Sequence, residues 1–150
     1  MRRADLSEEP IHRNLHPELH SILLEFHGIN EHPLRGVWHV YTDGCLDKIV
    51  LEFEHNSLMV EAEPDDDSIM FHVINNNDRD TNGWIDTSRS EVWRDFIGAP
   101  FGWGWITINQ QDFLDGVLLS FDGITPQVML NVMASSIEES IIRQPSKKSD

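Results

Sequence analysis

Ile49-Val50-Leu51-Glu52-Phe53-Glu54 decides the fold. Ile49, Leu51 and Phe53 alternate with Val50, Glu52 and Glu54, the period-two pattern of a strand with one face in a core. Upstream, Val37-Trp38-His39-Val40-Tyr41 is rich in β-formers, and Asp43-Gly44 is a turn signal between the two runs. Downstream, His55-Asn56 suits a tight hairpin turn, and Leu58 and Val60 continue the alternation as far as Pro64. Asp65-Asp66-Asp67 marks the next turn, and Ile69, Phe71 and Val73 alternate again. Strands joined by such short turns predict an antiparallel meander.

The same reading extends to both ends. Pro17 suits a first helical turn, where its missing N–H costs nothing. Leu19, Ile22, Leu23 and Phe26 then follow at helical spacing, with Gly28 as a stop, which predicts an N-terminal helix over 17–27. Ser88 or Ser90 would cap a short central helix bearing Val92, Trp93, Phe96 and Ile97 and ended by Gly98. Three more strands are expected at about 103–109, 115–122 and 127–133, punctuated by Asp115-Gly116 and Asp122-Gly123. The fold class is therefore α+β: a predominantly antiparallel β-sheet of about seven strands, an N-terminal helix and a short central helix. Residues 1–15 read as a flexible N-terminal segment, 16–143 as a single domain and 144–150 as a flexible tail.

Composition narrows the function. A chain of 150 residues is long enough to bury a real core. Its net charge of −15 opposes nucleic acid and anionic membranes, and favours cations or a basic protein partner. Cys45 is alone, so no internal disulfide can form, which fits a cytoplasmic location. No apolar run approaches the length of a membrane span, and the first residues, with no apolar stretch behind them, are not expected to act as a secretory signal. Oligomeric state leaves no trace in the sequence.

Asp78-Arg79-Asp80-Thr81-Asn82-Gly83-Trp84-Ile85-Asp86 resembles the front half of a DxDxDG calcium loop. Asp78, Asp80 and Asn82 would supply side-chain oxygens, Trp84 its backbone carbonyl and Asp86 a ninth-position ligand. Gly83 would make the sharp turn. At the twelfth position, where a bidentate Glu belongs, stands Arg89. Calcium is the cofactor this segment implies, with weak affinity.

Trp103 and Trp105 project to one side of an expected strand, with Gly102, Gly104, Ile106 and Ile108 on the other. If the isoleucines face the core, the two indoles form a stacking or docking surface. The opposing expectation packs both beneath the central helix. This Trp-x-Trp strand, with Asn109 and the Asp115-Gly116 strand carrying Val117, Leu119 and Phe121, resembles small bacterial domains of unknown function over residues 92–135. The resemblance implies an architecture and no catalytic residues.

His16 and His20 stand at i, i+4, but Pro17 places His16 at or before the helix start, and zinc would need a third ligand. Glu61 and Glu63 share one strand face, as a catalytic pair or as a solvated edge. No nucleophile motif is present. The expected function is a small, acidic, non-catalytic binding module for a basic protein partner, with the composition of immunity and antitoxin-like proteins. The alternatives are a calcium-binding domain using 78–86 and a metal-assisted hydrolase.

Overall fold

Pro17–Leu24 forms α1, and the next turn tightens into a 3-10 helix, Glu25–Gly28, as expected up to Gly28. The computed structural model describes residues 17–145 apart from 64, 66 and 122. The expected flexible ends, and His16 of the histidine pair, lie outside or largely outside the described residues.

Among the described residues nine strands follow: β1 (Gly36–Thr42), β2 (Cys45–Glu52), β3 (Asn56–Glu63), β4 (Ser68–Asn75), β5 (Ile85–Asp86), β6 (Phe101–Ile108), β7 (Leu114–Phe121), β8 (Val128–Met133) and β9 (Ser136–Ile141). They form two antiparallel sheets, ordered β4-β3-β2-β1-β5 and β6-β7-β8-β9. The sheets pack face to face, β2 against β9 and β4 against β7. Ile49, Leu51, Leu58, Val60 and Phe71 from the first sheet meet Val117, Leu119, Phe121, Val128 and Leu130 from the second. The meander read from 37–73 is the first sheet, minus its edge strand β5.

Phe26 ties the helix to both sheets. Its ring stacks on Phe71 of β4 at 4.7 Å and on Phe101 of β6 at 5.6 Å. Glu25 also accepts a hydrogen bond from the Val73 backbone N–H at 2.7 Å, which covers part of the β4 edge.

Two expectations are corrected. Residues 88–98 form successive turns, and the central helix is absent there. The physical reason is pinning at several points. Trp93 and Phe96 are both driven into the core. Gly98 takes a positive φ of 91° and donates its N–H to the Leu34 carbonyl at 2.7 Å. The i, i+3 bonds from Ser90 to Thr87 and from Phe96 to Trp93 satisfy the backbone without a continuous helix.

The strand count rises from seven to nine through β5 and β9. β9 is mostly polar, and its hairpin with β8 turns on Ala134 (φ 53°) and Ser135 (φ 68°). Positive φ at both central positions is the primed-turn geometry that suits strand twist. The β1–β2 hairpin meets the same requirement with the expected residues, Asp43 (φ 52°) and Gly44 (φ 84°). Asp115-Gly116, expected to lead its strand, lies near the start of β7, with Gly116 opposite Thr107 of β6.

Candidate functional site

β6 is a terminal strand of its sheet, and its first residues are held from outside by the 31–34 stretch. Phe101 donates its N–H to the His32 carbonyl at 2.9 Å and accepts from the Glu31 N–H at 2.9 Å. Immediately after, the register shifts: Phe101 lies opposite Phe121, but Trp103 lies opposite Ser120. Gly102 is the extra residue of this bulge. It sits so close to the Gly123 carbonyl that a Cβ there would lie 2.3 Å from it. The bulge turns two nearby aromatics to opposite faces. Phe101 enters the core, while Trp103 stands outside and is 55% exposed. Trp105 is half-buried on the outer face, in a row with Leu118 and Met129. Gly104 faces inward, with the Phe26 ring resting on it.

A groove of about 550 Å³ opens along this edge, bounded by the helical segment on one side and the 123–124 loop on the other. Leu23, Phe26 and Phe101 form its apolar wall, Gly102 and Gly104 expose strand backbone, and Trp103 and Ile124 stand at its rim. Ile124 is 71% exposed. Glu31, Asn30 and His27 supply the polar lining. Both expected docking residues therefore lie on an uncovered face of β6, and Trp103 is the one at the groove. The sequence reading missed Glu31 and Ile124. An isolated isoleucine beside glycine in a polar loop was the available signal for the second.

The 78–86 segment lies across the outer side of the first sheet. A 3-10 turn, Asn76–Asp78, opens it, Gly83 takes the expected positive φ of 80°, and Asp86 ends it in β5 opposite Trp38. Asp80 accepts from the Asn82 backbone N–H at 3.0 Å, and Asp86 from the Ser88 N–H at 2.9 Å. The Ser88 hydroxyl, then its backbone N–H, hold the Asp86 carboxyl below the usual carboxylate range. Trp84, expected to offer its carbonyl, presents its indole to Trp38 at 6.2 Å.

The residue that organises this segment is Arg79. Its guanidinium lies 5.5 Å from the Trp84 ring centroid, 3.4 Å from Glu52 and 3.0 Å from the Ser57 hydroxyl. Glu52 in turn accepts from the Trp38 indole at 3.0 Å. Among the described residues, no group of three or more His, Cys, Asp or Glu side chains converges as metal ligands would. Arg79→Ala is expected to cost about 1–2 kcal/mol in urea unfolding, through lost cation–π and ion-pair contacts. Calcium has a separate readout. A ligand selective for the folded chain must raise the melting midpoint, so a rise at millimolar calcium against chelator would assign the ion to 78–86 and an unchanged midpoint would remove it.

A second polar cluster bridges the sheets. Glu139 of β9 accepts from His39 Nε2 of β1 at 2.7 Å and from the Trp93 indole at 2.6 Å. His39 Nδ1 lies 3.5 Å from the Tyr41 hydroxyl. Glu61, one of the two alternating strand carboxylates, lies 4.0 Å from Lys48 and 3.7 Å from His72, as on a solvated face. His20 is exposed on α1. Among the described residues, no helix is long and apolar enough to cross a membrane.

A family model described as a family of unknown function (DUF6334) matches residues 19–146. No curated protein and no solved structure matched the chain.

Proposed function

The chain belongs to this family of unknown function, and we propose from its surface that it is a non-catalytic module that docks a basic protein partner on the β6 edge. One observation carries the reading: Trp103 stands 55% exposed beside an apolar groove, on a chain whose net charge is −15. A large exposed aromatic at a concave rim is the residue type that anchors protein interfaces. Surplus negative charge adds long-range attraction toward a basic surface and raises the encounter rate. The other half of the site is the uncovered face on which Trp105, Leu118 and Met129 lie in one row, an apolar strip beside the anchor.

The test begins with capture of partners from host lysate. A captured protein is then purified, and its affinity is measured with wild type and Trp103→Ala. The variant is expected to keep its stability within about 0.5 kcal/mol, because the side chain is at the surface. It is expected to lose about 2 kcal/mol or more of binding free energy. Association should slow as salt is raised, since screening removes the charge attraction. Equal affinity of Trp103→Ala and wild type would remove the docking site from β6.

A further inference from the structure

We infer that the groove beside β6 receives an arginine side chain of the partner, its guanidinium between the Trp103 indole and the Glu31 carboxylate and its stem along Leu23 and Ile124. This deepens the docking reading and rests on it. The first ground is composition of the site. Trp103 and Glu31 are both among the residues that line the groove, and none of its lining residues is lysine or arginine. The second ground is a complete example elsewhere in the same molecule. On the first sheet, Arg79 lies over Trp84 and against Glu52, so tryptophan, carboxylate and guanidinium already form one unit there. At the groove two of the three parts are present and the cation must come from outside.

Glu31 supplies a third ground. It is held at φ 67°, in the left-handed region, with its N–H bonded to Phe101. Glycine or asparagine fits that backbone with less strain. The glutamate therefore brings a side chain to the groove at some conformational cost. Arginine suits the site better than lysine because its flat guanidinium can stack on an indole while bonding a carboxylate. The apolar wall fits the methylene stem, which packs well on such surfaces.

The probes are N-acetylated tripeptide amides of sequence Leu-Arg-Leu, with lysine and citrulline analogues at the centre. Binding is followed by the indole N–H resonance of Trp103, assigned by its loss in Trp103→Phe. The arginine peptide is expected to shift this resonance saturably. The lysine peptide should bind more weakly, and the citrulline peptide should fail to bind. Glu31→Gln, which keeps size and hydrogen-bonding capacity, should weaken the arginine peptide about tenfold or more. Three results with the peptides would overturn the assignment: no saturable shift, equal binding of the citrulline peptide, or an unchanged dissociation constant in Glu31→Gln. A purified partner that binds through Trp103 with equal affinity to wild type and Glu31→Gln would overturn the arginine assignment and leave the docking reading in place.

Discussion

Trp93→Ala is expected to destabilise the fold by about 4 kcal/mol, the cost of removing a large buried aromatic and leaving a cavity. Trp93 is fully buried, and its ring meets Phe121 edge-on at 6.4 Å. Its indole N–H also donates to Glu139, which joins β9 of one sheet to His39 on β1 of the other. Truncation therefore removes packing and takes one of two donors from a nearly buried carboxylate. Trp93→Phe separates these effects. It keeps most of the ring volume and loses the donor, and it should cost about 1–2 kcal/mol. Glu139→Gln retains a side-chain carbonyl acceptor, and combining it with Trp93→Phe should give a coupling of about 1 kcal/mol in a double-mutant cycle. Urea unfolding of the four proteins reads all of these values. A cost under about 1.5 kcal/mol for Trp93→Ala would mean that residues 88–98 do not plug the core, since cavity formation alone exceeds it.

That plug also shows where sequence reasoning stopped. Val92, Trp93, Phe96 and Ile97 have helical spacing, and spacing alone predicts a helix. What prevents one is tertiary: the Glu139 carboxylate and the Leu34 carbonyl claim the indole and the Gly98 N–H. Neither partner is local in sequence. β1 to β4 were legible because alternation and short turns are local properties, and the Asp43-Gly44 turn carries the residues its geometry demands. β9 was hidden for the opposite reason. Ser136-Ile137-Glu138-Glu139-Ser140-Ile141 has few apolar residues, and its hairpin uses Ala134-Ser135 where glycine or asparagine would have been a signal.

The candidate site divides along the same line. Alternation offered outward tryptophans on β6 only on the condition that the isoleucines face the core; Ile106 packs against the core, and the opposing expectation needed a central helix. The bulge at Gly102, which lets Phe101 point inward, depends on a loop carbonyl more than twenty positions away. In 78–86 the oxygen spacing drew attention to the aspartates, whereas the contacts centre on the intervening Arg79. Its partners Glu52 and Ser57 come from other strands, so no local pattern marks it.

Gly104→Ala is expected to cost about 2–3 kcal/mol, more than an exposed edge-strand substitution should, because it overpacks the core. A Cβ built at Gly104 lies 2.4 Å from two atoms of the Phe26 ring. That ring has little room to yield, since Phe71 and Phe101 stack on it at 4.7 Å and 5.6 Å. Relief requires the helical segment to lift from β6, and this segment forms one wall of the groove. Stability and groove shape should therefore change together, with binding of the arginine peptide falling in the same variant. Phe26→Ala provides the control. Alone it should cost about 3–5 kcal/mol as a cavity mutation. In its background the added methyl of Gly104→Ala has space to occupy, so the second substitution should be close to neutral. The two changes should consequently be non-additive by at least about 1 kcal/mol in the protective direction. Additive costs would show that the ring and the glycine are not in contact, and the groove would then lack the wall on which arginine recognition depends.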